Sequence, residues 1–507
     1  MKSAKVVLLL IGFLVLVNPG FVGCSPACKK DKAPVARNFI TRNGSMLMDG
    51  DKEFRFFALA SSNLHQNEEQ ILPDNSNRFP DEFEIRDTLM TIRQMGGTAT
   101  RCFTLSVRNK GGKQEVPVHI EGIRQYNEEA FRTLDKVLQI CNELDIRLIF
   151  PIIDSHTFWG WRGIKEFASF RGKGGDDFWD DPQLREDFKN LVYDLLNRKN
   201  YYTGVAYKDD PAILAWQLGN EMDVYIRDNL LMDKNGYWTG KLTDWSVEMA
   251  AYIKSIDKKH LVMEAGGDMD TFLKDPHIDI ISKHYYEYWN MLAGRSTNLA
   301  SLCRMDRERA KSANKVMIAD EFGMGTTDVL ISFMDEVMQN GTSGALLWGV
   351  RSHRRDGGFY FHNESGGYAS YHWPGFSSGD EIDERNLLRI LREKAYQIRG
   401  LTVPAVPIPA PAPVLLEIKS ADDIIWRGSV GASGYDIERA ENPGGPWGLV
   451  GKNIEDAAKS RKLFSDKSVQ KGVTYYYRVK AKNVAGVSSP SQVVGPVSNS
   501  KAKRAKE

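Results

Sequence analysis

Two short runs in this chain end in the same way. "ILAWQLGNE", residues 213–221, begins apolar and stops at Gly219, Asn220 and Glu221. "VMIADEFG", residues 316–323, begins apolar and delivers Glu321 just before Gly323. Short apolar runs of this kind read as buried strands. A single carboxylate at a strand end is as readily an ion-pair partner for a loop arginine as a catalyst. Two of them suit glycoside hydrolysis. There one neutral carboxyl protonates the leaving oxygen, while an ionised one attacks the sugar carbon or activates water. This chemistry needs no cofactor. The nine histidines show no HExxH spacing and the five cysteines no CxxC spacing, so no metal is expected.

The elements that must position these acids are legible. Eight apolar runs follow one another: "FRFFALASSN", "GTATRCFTL", "IRLIFPIIDSH", "AILAWQLGNE", "LVMEAGGD", "DIISKHYY", "VMIADEFG" and "GALLWGV". Helical spacing separates most of them, clearest in "FEIRDTLMTIRQMG", "NEEAFRTLDKVLQICNELD" and "PQLREDFKNLVYDLLNRKN". Asn127 and Asp181-Pro182 are sound helix starts. The segment after the fifth run is the poorest helix candidate. Alternation of this kind predicts an α/β fold with a parallel sheet, and eight repeats favour a closed (β/α)8 TIM barrel. The sequence lacks both GxGxxG after the first run and GxxxxGK[ST], which weakens nucleotide-binding alternatives. Barrel active sites lie at the C-terminal strand ends. Glu221 ends the fourth strand and Glu321 the seventh, on opposite sides of the mouth. Their carboxyls are expected about 5–5.5 Å apart, the spacing for retention. Strict alternation would put Asn220 and Glu221 on opposite faces, so a bulge or bend is expected there.

"WQLGNE" and "VMIADEFG", with "KHYY" and "LLWG" on the sixth and eighth strands, resemble glycoside hydrolase family 5 over about Phe39 to Gly400. The stretch from "FWDDPQL" to "LGNE" resembles its β-mannanase branch. The resemblance implies Glu221 as acid/base and Glu321 as nucleophile. It implies that Asn220 bonds the sugar 2-hydroxyl and that Arg101 lies beneath Glu321. Tyr286 would donate to Glu321, His284 would line the same wall, and Trp348 would floor the sugar site. A cation and a phenol would depress the pKa of the nucleophile. Trp216 and Trp348 would partly desolvate the acid and raise its pKa. Many mannanases of the family have Pro after the Asn-Glu pair, where this chain has Met222-Asp223.

Other candidates come from position alone. Asp154, His156, Trp159 and Trp161 end the third strand, with His156 either a wall residue or structural. Trp159 and Trp161 either stack on sugars or pack under the loop. The long loop after the eighth strand holds Tyr371, His372 and Trp373, which are expected to form part of the cleft wall. His353, His362 and His372 are expected to bond and pack rather than bind metal. The leading reading is a retaining endo-β-1,4-mannanase acting on mannan, glucomannan or galactomannan. The nearest rivals are an exo-β-mannosidase or a β-1,4-glucanase on the same barrel. A different class would be a non-catalytic carbohydrate-binding lipoprotein.

The ends carry other signals. Lys2 and Lys5 precede "VVLLLIGFLVLV", which is short for a bilayer and reads as an export signal. Phe21-Val22-Gly23-Cys24 resembles a lipobox, so Cys24 is the expected lipidation site, with Cys28 second and an ordinary cleaved signal the alternative. Residues 1–24 are the signal, 25–38 a tether and 39–400 the barrel. Residues 401–413, "LTVPAVPIPAPAP", are a proline-rich spacer expected to keep the modules apart. Residues 414–498 alternate with period two, as in a small all-β sandwich, and resemble a fibronectin type III module. Trp426 and one of Tyr475 and Tyr477 are expected in its core. Removing residues after about Pro404 is therefore expected to spare activity. Residues 499–507 form a basic tail. Lys and Arg total 67 against 66 Asp and Glu, which argues against nucleic acid as partner. The expected partners are a polysaccharide and, through the lipid, a membrane. The chain is expected to be a monomer working outside the cytoplasm.

Overall fold

Apolar runs too short for helices pair side by side, and the amphipathic helices between them cover the outside. The computed structural model describes residues 38–67, 78–109, 117–156, 162–228, 237–362, 368–376, 382–457 and 462–498. Cys24, Cys28, Trp159 and Trp161 lie outside the described residues. Eight parallel strands form one sheet: β1 Phe56–Leu59, β2 Ala99–Arg101, β3 Arg147–Asp154, β4 Ile213–Asn220, β5 Leu261–Met263, β6 Ile280–Tyr286, β7 Val316–Gly323 and β8 Gly344–Leu347. From β2 to β8 each pairs with its sequence neighbours, and β8 returns to pair with β1. The ring closes between β1 and β2, where Ser61 N donates to Arg101 O at 2.9 Å and the Thr100 hydroxyl to Leu59 O at 2.8 Å. Every residue of β3, β4 and β7 is buried, as strands covered on both faces must be.

The main outer helices are α1 Glu82–Gln94, α2 Glu128–Leu144, α3 Pro182–Asn197, α4 Tyr237–Ile256, α5 Leu299–Ser312, α6 Thr327–Asn340 and α7 Glu384–Gln397. Asp81 and Glu84 form a capping box on α1. Asn127 caps α2, and Asp181 caps α3 with Pro182 in its first turn. After β5 the only helix before β6 is Met269–Lys274, six residues long. That segment has too few apolar positions to cover the sheet alone. An antiparallel hairpin, Ile40–Asn43 with Met46–Asp49, closes the bottom of the barrel with Ile40 and Leu47 buried. Cys102, Cys141 and Cys303 are buried free thiols. Among the described residues no helix is long and apolar enough to cross a membrane.

The C-terminal residues fold as a separate all-β layer. Val414–Leu415 pairs with Trp426–Arg427, and Gly434–Ala440 lies between Gly448–Ile454 and Thr474–Asn483 in a second sheet. Trp426, Tyr475 and Tyr477 are all buried in its core, where only one of the two tyrosines was expected.

This layer is not held apart from the barrel. His353, on the chain after β8, places Nδ1 2.8 Å from Asp87 of α1 and Nε2 3.2 Å from Asp456 of the β layer. Burial works against a charge on this imidazole, but the two aspartates hold its pKa up to about 10. The Arg427 guanidinium donates to Arg355 O at 2.7 Å, and Val430 joins the barrel's apolar core. Trp373 belongs to the same seam. Its indole donates to Gln94 at the end of α1 at 3.1 Å and faces the Arg392 guanidinium of α7. That places Trp373 on the outside of the barrel and corrects its expected position on the cleft wall. Tyr371 pairs beside Val350 and is buried, and the His372 ring bonds Tyr360 O at 2.9 Å while its backbone N–H donates to the Glu384 carboxylate. The loop folds back because its aromatic and basic residues find buried partners in α1, α7 and the β layer.

Candidate active site

Arg101, the last residue of β2, is fully buried, so it must be paired. Its Nη1 donates to Glu321 Oε1 at 2.5 Å, its Nη2 to Asn220 Oδ1 at 2.7 Å and its Nε to Gln217 Oε1 at 2.8 Å. Asp320 lies 3.3 Å from the same Nε. Asp320 also accepts from Ser282 and Gln217 at 2.7 and 2.8 Å. Burial works against its charge, yet His284 and Arg101 hold its carboxyl down at about 2. Three strand ends are thereby bolted to one guanidinium. The hydroxyl of Tyr286, at the end of β6, donates to the second oxygen of Glu321.

Glu221 sits higher in the mouth. Its side chain is 25% exposed, against 5% for Glu321. His284 Nδ1 stands 2.7 Å from one of its oxygens and His156 Nε2 2.8 Å from the other. His284 Nδ1 is also 3.3 Å from Glu321. One oxygen of each glutamate lies within 4.8 Å of the other. Trp348, at the end of β8, is 6% exposed and packs 5.8 Å from Phe103. Trp216 is buried on the helix side, where its indole donates to Asp257 at 2.8 Å. It therefore does not desolvate Glu221, which corrects the expectation drawn from its nearness in sequence. Alternation along β4 carries it outward.

The bend expected at Asn220-Glu221 is a backbone turn rather than a bulge. Glu221 has φ +47°, in the left-handed region that non-glycine residues rarely occupy. Such a conformation costs of order 1–3 kcal/mol and persists where the surroundings demand it. Gly219 permits the approach, because a Cβ there would lie 2.9 Å from Ile153 O and 2.7 Å from Met222 Sδ.

The charges divide differently from expectation. Burial pushes the Glu321 carboxyl up to about 7, opposed by His284 and Arg101 and reinforced by the charge on Glu221. Burial would raise Glu221 as well, but the bonds from His156 and His284 hold it well below the usual range. Glu321 was expected to be the depressed group and Glu221 the raised one. The reversal has a physical source: both histidines face Glu221, and sequence order alone did not pair them. His284 is itself held well above its ordinary value by Glu321 and Asp320, despite burial. Burial and the facing charge on Glu221 favour one proton on the Glu221–Glu321 pair, held at Glu321 up to about 7. The pair titrates as a unit. Activity that needs this one proton should fall as pH rises through about 7. A kcat/KM profile still rising at pH 9 would contradict the arrangement.

Sequence reasoning passed over Asp320 and Gln217. Their signal was a polar residue inside an apolar strand run, one step before Glu321 and four before Glu221. Such a residue inside a barrel must be satisfied by neighbours.

A (β/α)8 barrel whose fourth and seventh strands present facing glutamates defines a class, the barrel glycoside hydrolases. The chain belongs to the GH family 5 beta-mannosidase-like family, whose sequence model matches residues 37–328. It is 38% identical over 277 residues to a putative mannan endo-1,4-beta-mannosidase 4 of Arabidopsis thaliana, covering 45% of this chain and 65% of that one. It is 36% identical over 183 residues to mannan endo-1,4-beta-mannosidase 2 of Oryza sativa subsp. japonica, covering 35% of this chain and 38% of that one. The chain thus spans less than two thirds of the length of either relative. Among solved structures, the endo-1,4-beta-mannanase from Rhizomucor miehei superposes with TM-score 0.56 at 19% identity, covering 72% of this chain and all of that one. The endo-beta-1,4-mannanase from Thermotoga petrophila gives TM-score 0.54 at 20% identity, covering 89% and 99%. At these identities the structural likeness speaks for the fold.

Proposed function

We propose that this protein is a retaining glycoside hydrolase that cuts internal β-1,4-mannosidic bonds in mannan-type polysaccharides. The observation that carries the reading is the approach of a Glu221 oxygen to within 4.8 Å of a Glu321 oxygen. That is close to the carboxyl spacing of double-displacement enzymes and leaves no room for a water between Glu321 and the sugar. In the first step Glu321 attacks the anomeric carbon. The bond from that carbon to the leaving oxygen breaks as Glu221 gives its proton to that oxygen. In the second step Glu221 takes a proton from water, whose oxygen attacks the same carbon and releases Glu321. Arg101 and Tyr286 hold the two Glu321 oxygens so that one lone pair faces the sugar. The shared proton must lie on Glu221 when the sugar is in place, and His284, in reach of both carboxyls, provides the route. Mannan preference rests on the named activities of the relatives. The test is hydrolysis of mannan, cellulose and short manno-oligosaccharides, with the anomer of the first product followed by NMR. Mixed internal fragments of retained configuration from mannan are expected. Single mannose units, glucan fragments or an inverted anomer would each overturn one part of the reading.

We also propose that Cys24 carries a lipid that tethers the enzyme to a membrane. A lipid-modified cysteine with more than one acyl chain binds more firmly than a single chain does. Cys24→Ser should move the protein out of the membrane fraction with no change in activity on soluble mannan. A wild-type protein already free in the medium would leave only a cleaved signal. For residues 414–498 we propose a fibronectin type III-like module, on the strength of its alternating pattern and its buried Trp426 and Tyr435.

A further inference from the structure

Asp154 is a buried carboxyl that the reaction above does not use. It ends β3, pairs in register with Asn220 across β3 and β4, and has no solvent exposure. Its Oδ1 accepts from Asn220 Nδ2 at 3.2 Å and from His156 N at 3.1 Å. Its Oδ2 is buried with no hydrogen-bond partner among the described residues. A half-satisfied buried carboxylate is costly, and each such group calls for an explanation.

The bonded oxygen, Oδ1, bears on what Asn220 must do. A primary amide has an acceptor end and a donor end, and a half-turn exchanges them. Arg101 Nη2 can only donate, so it claims the amide oxygen of Asn220 at 2.7 Å. Asp154 Oδ1 can accept, so it claims one hydrogen of the amide nitrogen. With both ends claimed, the amide cannot turn. One N–H of Asn220 remains unassigned.

We propose that Asp154 is a positioning residue that locks the Asn220 amide so that its remaining N–H donates to the 2-hydroxyl of the sugar being cleaved. The same Oδ1 accepts from the backbone of His156, whose ring holds Glu221. Asp154 therefore ties the 2-hydroxyl donor and the acid's partner to one atom. Burial lifts its pKa to about 6, against the pull of His156 and Asn220. What the lock needs is an acceptor at Oδ1 rather than a full charge. The inference rests on the glycosidase reading but not on the identity of the sugar.

The experiment compares wild type, Asp154→Ala and Asp154→Asn on dinitrophenyl β-mannoside, β-glucoside and the 2-deoxy glycoside. The 2-deoxy compound is the common parent of both sugars, so it serves as reference for whichever one the wild type cleaves. Asp154→Ala should lose about 10- to 100-fold in kcat/KM on the cleaved hydroxylated sugar, the worth of one transition-state hydrogen bond. It should match wild type on the 2-deoxy compound. Asp154→Asn keeps an acceptor oxygen and should recover most of the loss. Equal losses on the cleaved hydroxylated sugar and the 2-deoxy compound would make Asp154 a structural residue and overturn the proposal. Full activity of the alanine variant on the hydroxylated sugar would overturn it too. A wild type that cleaves neither mannan nor cellulose nor any of the three would remove the hydrolase reading itself.

Discussion

Glu321→Gln should lower turnover on every glycoside by roughly 10⁴- to 10⁶-fold, the scale on which a lost nucleophile is felt. The amide cannot form the glycosyl ester, and no neighbouring carboxyl can take its place. Asp320 sits one residue earlier, but it is bound to Ser282, Gln217, His284 and Arg101 below the mouth. The matching Glu221→Gln variant should behave differently. It should lose roughly 10²- to 10⁴-fold on mannan, where the leaving sugar needs a proton. With a dinitrophenyl leaving group it should lose far less in the first step, because that group departs unprotonated. Equal losses of the two variants on both substrates would void the division of roles. Melting temperature must be followed alongside, since Glu321→Gln also leaves the buried Arg101 with one anionic partner fewer.

Removing residues 405–507 should destabilise the barrel by about 3–5 kcal/mol, the cost of breaking a buried ion pair. At about 2 °C per kcal/mol for a domain of this size, the melting temperature should fall by about 6–10 °C. The proline-rich spacer suggested the opposite, an expendable module. The seam reverses that expectation: His353 loses Asp456, Arg355 O loses Arg427, and Val430 leaves the core. The chain that carries His353 also carries Trp348 at the mouth, so activity should fall with stability. In the full-length protein, Asp456→Asn should reproduce part of the loss without removing the layer. A truncated enzyme with unchanged melting temperature and activity would show that the seam contributes nothing.

Much of this protein was legible in its sequence, for a definite reason. Strand and helix periods are local properties. Eight apolar runs with capped helices between them can bury their strands on both faces only in a closed or doubly covered parallel sheet. Once the strands are counted, Glu221 and Glu321 fall at the ends of the fourth and seventh. Arg101, Asn220, Tyr286, His284 and Trp348 fall at strand ends in the same way, and the barrel brings the first four into one bonded cluster.

What the sequence did not contain is which strand-end side chains touch. His284 and His156 meet on Glu221 because barrel curvature turns the ends of β3 and β6 toward β4, and no local pattern encodes that angle. The division of charge between the two glutamates follows from that meeting. Only the fold could set it, since a pKa depends on every charge within a few ångströms and on burial. The left-handed turn at Glu221 likewise follows from its two histidine partners and from Gly219 lying against β3. Trp373 looked like a mouth residue because its loop leaves a mouth strand. The loop instead folds outward, since a long aromatic segment gains more by burial against α1, α7 and the β layer than by lining water. Local periodicity determined the scaffold and the strand-end acids. Tertiary contact decided who pairs with whom, because electrostatics and burial act through space and not along the chain.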